Sequence, residues 1–316
     1  MGLNDASHRI VADLLCARTG QQLTDSRLWR VSSALAGLFR EHGLSNLDQL
    51  VCLLGDGDQA ELATQVVEAL LNNETYFFRD RAYFSILAET VLPDIASRRA
   101  ASKRIRIWSA GCSTGQEVLS LAMLFAGQPE RWADWDIEIL GTDISIKALA
   151  VANSGLYSQF EIQRGISIGQ MLQFFSETPQ GWQANDTIRA LARFKQASVL
   201  AAPPSPGNFD LVLCRNVLLY FDPPTRRAVF ERLSQATAAD GWLMLGAGET
   251  VIGQTDLFVP APCGATLYQP VGSRRPAAAN GPVKQAFAGP PARSCHECSM
   301  PRRLAAKKVN RRFTHS

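Results

Sequence analysis

A stretch of small and polar residues, WSAGCSTGQE at residues 108–117, is built like a cofactor-binding loop. An apolar run at residues 105–108 leads into it, and a helix-like run at residues 118–125 follows it. Gly111 and Gly115 allow the backbone to turn sharply and to approach a ligand closely. Alone, the stretch is equally typical of an ordinary strand-to-helix turn, and it lacks the G-x-G-x-x-G pattern of dehydrogenases.

An acidic residue at the end of the next apolar run favours the cofactor interpretation. This run, IEILGTD, ends at Asp143, which lies 28 residues after Gly115. An acid at the end of the second strand of such a unit can accept hydrogen bonds from ribose hydroxyl groups. The sequence therefore predicts that the small-residue loop and Asp143 bind one nucleotide-type cofactor.

Two further apolar runs end in residues that could join this site. Residues 209–214 lead into Arg215 and Asn216, and residues 242–245 lead into the segment GAGE at residues 246–249. The alternation of strands and helices predicts a parallel sheet with helices on both faces. Because ligands of such sheets bind beyond the carboxyl ends of the strands, all four strand ends would face one crevice.

Residues 1–71 show helical periodicity only and predict a separate, all-helical N-terminal domain. Apolar residues recur at helical spacing, as at Leu28, Val31 and Leu35. The expected N-caps are Asp25 or Ser26 for the second helix and Asp58 for the fourth. Such a domain could be a structural cap or a docking surface for another helix, and the pattern does not separate the two.

The predicted linker, residues 72–103, begins with NNETYFFRD and continues as a helix over residues 79–97. Asn73, Thr75 and Arg79 alternate with aromatic residues in this segment. We expect its two phenylalanines to pack between the domains and its polar residues to line a cleft.

Residues 104–270 are expected to form the cofactor-binding domain, with a small antiparallel β subdomain inserted at residues 154–200. Within the insertion, residues 182–194 could form a hairpin with its turn near Asn185, and residues 194–200 would return to the main sheet. Further expected elements are a helix from Pro223 to about Ala239 and a final edge strand at residues 265–269.

Composition limits the class of protein. The chain has 316 residues, of which 46% are hydrophobic and 19% charged, as in globular proteins with a substantial core. No apolar run approaches the ~18 residues of a membrane-spanning helix, and the N-terminus lacks a signal-peptide pattern. Seven scattered cysteines, an odd number, argue against a disulfide framework and for a reducing, cytoplasmic location.

Residues 271–316 differ from the rest of the chain. They hold ten Lys and Arg and one acid, Glu297, so this segment carries +9 and residues 1–270 carry −6 of the total of +3. We expect a disordered basic tail that solubilises the protein or binds an anionic partner weakly, with nucleic acid an unlikely partner. Cys295 and Cys298 supply only half of a zinc site, so no metal site is expected.

Taken together, these pieces resemble the chemotaxis receptor methyltransferases of the CheR family. The matching motifs are N-x-T-x-FFR at residues 73–79, SAGCSTG at 109–115, GTDI at 141–144, FDLVLCRNVLLYFD at 209–222 and GAGE at 246–249. Their order and spacing fit from about residue 5 to 270. The resemblance implies an α/β fold with a Rossmann-like, S-adenosylmethionine-dependent methyltransferase sheet, an N-terminal helical domain and a small antiparallel β insertion.

This family transfers a methyl group from S-adenosylmethionine to glutamate side chains on the cytoplasmic helical bundle of a chemoreceptor. The product is S-adenosylhomocysteine. The resemblance implies that Asn73, Thr75 and Arg79 contact the cofactor from the linker. Tyr220, together with Arg79, would face the methyl transfer.

The resemblance assigns the remaining cofactor contacts to the strand ends. Gly111 belongs to the cofactor loop, Glu117 would reach the methionine amino group, and Asp143 would bind the ribose hydroxyl groups. Ser198 and Val199 would lie near the adenine, and Arg215 with Asn216 would close the cofactor site.

Two positions and one helix depart from the family pattern. Gln116 replaces the first of two acids after the glycine loop, and Ser198 stands where asparagine is common. The second helix, often basic for docking to acidic receptor helices, offers Arg27, Arg30 and Arg40 within a net acidic domain.

The implied chemistry explains the absence of histidine from the motifs. The target glutamate, with an ordinary pKa of about 4.3, is already ionised at neutral pH, so no general base is needed. Arg79 could instead form a salt bridge with Asp80 or Asp143, and the Tyr220 hydroxyl could instead cap the helix after Pro223.

Three other functions are compatible with the sequence. The chain could methylate a different acceptor, or bind S-adenosylmethionine without turnover as a signalling module. A nicotinamide dehydrogenase is less compatible, because the loop lacks the required glycines.

Overall fold

The computed structural model describes residues 3–57, 59–264 and 266–273, all within the compact unit Met1–Arg275. The expected cap Asp58 and most of the basic tail, with Cys295 and Cys298, lie outside the described residues.

The N-terminal helical domain consists of four α-helices. They are α1 (Leu3–Thr19), α2 (Asp25–Glu41), α3 (Leu47–Gly55) and α4 (Ala60–Leu70). Val11, Val31, Leu35, Leu50 and Val66 are fully buried in one cluster, so the apolar stripes of the sequence meet at the centre of the domain.

The N-caps of this domain differ from the sequence prediction. Helix α2 starts at Asp25 and is preceded by Thr24, whose side chain makes no capping hydrogen bond. Asn46, in contrast, caps α3, because its side chain accepts a hydrogen bond from the Gln49 amide.

The predicted linker helix is divided by a π-helical turn. Helix α5 (Arg81–Ile86) continues through the π turn Leu87–Val91 into α6 (Leu92–Arg98). Pro93 lies in the first turn of α6 and cannot donate a backbone hydrogen bond, and its ring conflicts with the carbonyl of Glu89 in a regular α-helix. A wider turn removes this conflict.

A seven-stranded sheet forms the centre of the cofactor-binding domain, with strand order β6-β2-β1-β7-β8-β10-β9. The strands are β1 (Arg104–Ala110), β2 (Asp136–Asp143), β6 (Ala192–Gln196), β7 (Phe209–Cys214), β8 (Thr237–Leu245), β9 (Phe258–Pro260) and β10 (Leu267–Pro270). The first five of these pair in parallel, whereas β9 and β10 are antiparallel. The predicted α/β class with a parallel sheet is confirmed.

Both faces of this sheet are buried, and alternate residues of each strand enter opposite cores. In β7, Leu211 and Leu213 join one core and Val212 and Cys214 the other, all with 0% exposure. This explains why the strand reads as a continuous apolar run instead of an alternating pattern.

Four helices pack against the large sheet. They are α7 (Gln116–Ala126), α8 (Pro129–Trp132), α9 (Ile146–Ser154) and α13 (Pro223–Ala236). Asp222 caps α13 by accepting a hydrogen bond from the Thr225 amide. The helix ends three residues earlier than predicted, because Thr237 already pairs with Phe209 at the start of β8.

The insertion contains a three-stranded antiparallel sheet, as predicted, but its hairpin was placed wrongly. The strands are β3 (Leu156–Tyr157), β4 (Phe175–Thr178) and β5 (Gly181–Ala184), in the order β3-β5-β4, and three short helices accompany them: α10 (Gln159–Gln163), α11 (Ile168–Phe174) and α12 (Asp186–Arg189). The hairpin turns between β4 and β5. Asn185 instead caps α12, because its side chain accepts the Ile188 amide.

Two boundaries in the main sheet also differ from the prediction. Strand β6 occupies Ala192–Gln196, so the chain rejoins the large sheet earlier than residues 194–200 indicated. Strand β10 lies between β8 and β9, so the expected edge strand is an inner one, and β9 forms the edge. No helix of the described residues has the length and apolarity needed to cross a membrane.

Two substitutions on α2 test the core of the helical domain. Leu35 is fully buried and Trp29 is 75% exposed. Because Leu35→Ala leaves a cavity, we expect it to lower the free energy of unfolding by about 2–5 kcal/mol. Trp29→Ala, the control, should change it by about 0.5 kcal/mol or less. Equal losses for the two variants in urea denaturation would contradict this packing.

Candidate functional site

One cavity of about 1070 Å³, a volume that includes its open mouth, lies beyond the carboxyl ends of β1, β2, β6 and β7. All eleven site residues predicted from the sequence line it: Asn73, Thr75, Arg79, Gly111, Glu117, Asp143, Ser198, Val199, Arg215, Asn216 and Tyr220. The helical domain contributes Thr19, Gln21 and Leu71 to the same wall. Three of the four predicted strand ends, those of β1, β2 and β7, therefore meet at a cavity large enough for a cofactor, whereas the GAGE segment after β8 does not line it.

The glycine loop forms a cradle at the floor of the cavity. Gly111 has φ +78° and Gly115 has φ +91°, values that favour glycine. The amides of Gly111 and Cys112 both donate to the Thr142 carbonyl, at 2.7 and 2.9 Å, and tie the loop to β2. A Cβ at position 111 would lie 2.4 Å from Cγ2 of Val217, so only glycine fits there.

Asp143 lies at the end of β2 with both carboxylate oxygens held by backbone amides. Ser113 N donates to Oδ2 at 2.7 Å, and Ser145 N donates to Oδ1 at 2.9 Å. Burial raises the pKa of the Asp143 carboxyl above its ordinary value, and these amides oppose the shift by stabilising the charge. Each oxygen keeps a further lone pair, so the carboxylate can still accept from two hydroxyl groups.

Arg215 joins three parts of the site through a buried ion network. Its Nη1 donates to Glu117 Oε2 at 2.8 Å, and its Nη2 donates to Asp80 Oδ2 at 2.7 Å and to the Arg79 carbonyl at 2.8 Å. Ser109 Oγ donates to the other oxygen of Glu117 at 2.8 Å. The Arg215 side chain is only 1% exposed, and its Nε has no partner among the described residues.

The linker segment is anchored against both the sheet domain and the insertion. The ring of Phe77 packs edge-on against Tyr157 and Phe175, with centroid distances of 5.1 and 5.4 Å. The Phe78 amide donates to Ser120 Oγ at 2.9 Å, and Ser113 Oγ donates to the Asn73 carbonyl at 2.7 Å. Both phenylalanines belong to the core of the sheet domain, so they do not pack between the helical domain and the sheet domain as expected.

Arg79 remains available to a ligand in the cavity. Its Nη1 donates to the Glu74 carbonyl at 3.0 Å, and its guanidinium lies 5.7 Å from the centre of the Tyr76 ring. Asp80 is paired with Arg215 instead. The structure therefore does not show the alternative salt bridges that the sequence left open for Arg79.

Tyr220 contacts Asn72 at the start of the linker and Arg27 of the helical domain. Asn72 Nδ2 donates to the Tyr220 hydroxyl at 2.7 Å, and the Arg27 guanidinium lies 4.3 Å over the ring. Since Asp222 caps the following helix, the hydroxyl is not the helix cap. It accepts from Asn72 and keeps its own proton to donate.

Two departures from the family pattern take part in local structure. Gln116 is 1% exposed, and its Oε1 accepts from Thr114 Oγ1 at 2.7 Å. Ser198 Oγ accepts from the Leu200 amide at 3.1 Å, while the neighbouring Val199 is buried at 9% exposure. Ser198 and Val199 thus give the cavity a wall formed by one turn after β6.

Residues 73–266 match the family described as "CheR methyltransferase, SAM binding domain". The chain belongs to the CheR methyltransferase family. A chemotaxis protein methyltransferase from Vibrio anguillarum is 32% identical over 264 residues, which cover 83% of this chain and 95% of that protein. A probable chemotaxis protein methyltransferase from Rhizobium etli is 33% identical over 245 residues, covering 76% and 91%.

As a CheR methyltransferase, the chain binds S-adenosylmethionine, and the cavity fits this cofactor. The Gly111 cradle admits close contact with a ligand, and the lining residue Arg215 has a buried donor, Nε, with no hydrogen-bond partner in the part of the chain that the structure describes. Carboxylates at Asp143 and Glu117 suit ribose hydroxyl groups and a methionine ammonium group. Within the described residues, no cluster of His, Cys, Asp and Glu could hold a metal ion.

The sequence indicated the GAGE motif but no role for Glu249. In the structure, this carboxylate holds the turn that follows β7. Its Oε2 accepts from the amides of Asn216 at 2.7 Å and Gly246 at 2.8 Å, and its Oε1 from Leu218 at 2.8 Å and Leu219 at 3.4 Å. A Cβ on Gly246 would lie 2.7 Å from Glu249 Oε2, which explains the glycine. This carboxylate fixes the turn between Arg215 and Tyr220.

A pair of glycine substitutions tests the cradle. Gly111→Ala and Gly253→Ala both place a side chain at positive φ, +78° and +71°, but only the first meets another atom within 4 Å. We expect Gly111→Ala to weaken S-adenosylmethionine binding at least about tenfold in calorimetry, because Val217, which lines the cavity, must move. Gly253→Ala should bind normally; equal weakening would show that backbone strain alone is responsible.

Replacing Glu249 by Gln tests the turn that carries Tyr220. The Gln side chain has the size of Glu, but an NH₂ donor replaces one of the two acceptor oxygens and faces backbone N–H groups, which are donors too. We expect turnover to fall about tenfold or more, because a small displacement of a reacting group is costly, with a smaller effect on cofactor affinity. The exposed Glu231→Gln on α13 is the control. Wild-type turnover in Glu249→Gln would refute this positioning role.

Proposed function

We propose that this protein transfers the methyl group of S-adenosylmethionine to glutamate side chains of a chemoreceptor's cytoplasmic domain. The products would be glutamyl methyl esters and S-adenosylhomocysteine. The observation that carries this proposal is a cavity that presents Arg79 and Tyr220 but no histidine among its described lining residues. A carboxylate acceptor needs orientation and no base, because it is ionised at neutral pH.

The chain's own residues would hold the cofactor in a defined order around the cavity. Asp143 would accept from the ribose hydroxyl groups, and Glu117 would accept from the methionine ammonium group. Ser198 and Val199 would contact the adenine. Arg215 would act mainly through Glu117, since its buried guanidinium fixes that carboxylate at 2.8 Å.

The remaining wall would secure the cofactor from the linker and the turn after β7. Asn73 and Thr75 lie on the linker, and Asn216 is held at φ +60° by Glu249. When bound, S-adenosylmethionine supplies an electrophilic methyl group on a positively charged sulfur.

Arg79 and Tyr220 would orient the acceptor carboxylate for attack. Transfer would replace the bond between the methyl carbon and sulfur by an ester bond to the acceptor carboxylate, and no residue of the chain would have to give or take a proton. Arg79 donates to one carboxylate oxygen, and Tyr220 can donate its proton because Asn72 already occupies an acceptor position. Such orientation supplies on the order of 7–11 kcal/mol of the barrier reduction in comparable reactions.

Other potential nucleophiles of the cavity do not compete for the methyl group. Burial raises the pKa of the Cys112 thiol well above its ordinary value, so the sulfur stays protonated at neutral pH. Arg215 forms ion pairs with the carboxylates of both Glu117 and Asp80, so one oxygen of each is occupied by its guanidinium.

Basic residues of the helical domain favour the hypothesis that the protein partner is acidic. Arg27 and Arg30 of α2 line a second cavity that adjoins the first and shares Asn72 and Tyr220 with it. A partner helix that presents acidic residues along α2 would therefore be guided towards the hydroxyl of Tyr220.

The test of this function is incubation with labelled S-adenosylmethionine and a panel of receptor cytoplasmic fragments, followed by peptide mapping. We expect label on glutamate, released as methanol in mild base. Base-stable label would indicate a different acceptor class. Cofactor binding without label transfer to any fragment would indicate a non-catalytic signalling module.

Substitutions of the two orienting residues separate catalysis from cofactor binding. We expect Arg79→Ala to lower kcat about 100-fold and Tyr220→Phe about tenfold, because the carboxylate loses its orientation. Their affinities for S-adenosylmethionine should fall less. Arg81→Ala, an exposed arginine two residues away, is the matched control. Wild-type turnover in both variants would refute the assignment.

A further inference from the structure

Glu68 connects the helical domain to the cofactor site. It lies near the end of α4, and its carboxylate reaches the N-terminus of α9 in the sheet domain. Oε1 accepts from the Ile146 amide at 2.7 Å, and Oε2 accepts from Ser145 Oγ at 2.6 Å. A negative charge at this helix terminus is favourable, because the first amides of the helix have no intrahelical partner.

Ser145 links this carboxylate to Asp143. Ser145 is fully buried, and its amide donates to Asp143 Oδ1 at 2.9 Å while its hydroxyl donates to Glu68. The same hydroxyl caps α9 by accepting from Ala148 N at 3.0 Å. Glu68 therefore fixes the turn whose backbone holds one oxygen of Asp143.

The linker joins the same network. Asn73 Nδ2 donates to Ser145 Oγ at 3.4 Å, and the Asn73 carbonyl accepts from Ser113 Oγ at 2.7 Å. The Ser113 amide in turn donates to the second oxygen of Asp143 at 2.7 Å. The helical domain, the linker and the glycine loop thus all act on the orientation of one carboxylate.

We propose that Glu68 is a positioning residue for cofactor binding, which acts through Ser145 and aligns Asp143 with the ribose hydroxyl groups. The inference rests on the ribose contact of Asp143 in the proposed function. Its consequence is that the domain carrying the acceptor-docking helix also sets the affinity for the methyl donor. Because such coupling is reciprocal, bound cofactor holds the helical domain in place.

The test compares four proteins and two ligands by calorimetry. The proteins are the wild type, Glu68→Gln, Asp143→Asn and the control Glu61→Gln, an exposed acid in the first turn of the same helix. The ligands are S-adenosylhomocysteine and its 2′,3′-dideoxy analogue, which lacks the ribose hydroxyl groups.

We expect Glu68→Gln to weaken S-adenosylhomocysteine binding about tenfold, in the range of one hydrogen bond to a charged group. It should bind the dideoxy analogue as the wild type does, within about twofold, and Glu61→Gln should match the wild type for both ligands. A purely structural role would weaken both ligands equally, and this result, or unchanged binding, would overturn the inference.

Asp143→Asn distinguishes a failure of this inference from a failure of the proposed function. If it binds S-adenosylhomocysteine normally, the ribose contact itself is wrong. If it binds weakly while Glu68→Gln binds normally, only the role of Glu68 is wrong. Should Glu68→Gln not fold, Glu68→Asp keeps the charge but shortens its reach, and the same selective loss is expected of it.

Discussion

The buried guanidinium of Arg215 is the interaction on which the site depends. At 1% exposure, this charge is tolerated only because Glu117 and Asp80 neutralise it and hydrogen bonds satisfy its terminal nitrogens. These partners belong to the first helix after the glycine loop and to the linker. One ionic network thus joins the end of β7 to two other parts of the cavity wall, and it engages Asp80, the acid next to Arg79 in the sequence.

Three carboxylates at the edge of the sheet serve as acceptors for backbone amides. Asp143, Glu249 and Glu68 each hold a turn at the edge of the sheet by accepting backbone N–H groups. Such charge-assisted bonds are stronger than neutral ones and fix these turns, and the proposed displacement without proton transfer relies on fixed positions. In the proposed mechanism the chemistry depends on the placement of Arg79 and Tyr220, whose side chains are held by Glu74 of the linker and by Asn72.

Much of the fold and the cavity wall could be predicted from sequence. The central strands are visible in the sequence as apolar runs, and the runs of β2 and β7 end in or lead into residues that line the cavity, Asp143 and Arg215. The run of β8 leads into GAGE, which does not line it. The insertion hairpin was misplaced because Asn185 is equally suited to a turn and to a helix cap, and the pairing of β4 with β5 decided between them. The place of β10 was missed for a related reason, since strand order depends on contacts distant in sequence.

The sequence by itself determined the order of the elements, the parallel sheet and the residues at its carboxyl edge, because periodicity and turn glycines are local signals. Only the tertiary structure decided which partner each charged residue takes. The partners are distant in sequence. Arg215 and Asp80 are 135 positions apart, Glu249 and Asn216 are 33 apart, and Glu68 and Ser145 are 77 apart. Their identity depends on how the chain folds back on itself, since a buried charge pairs with whatever donor or acceptor the packing brings near.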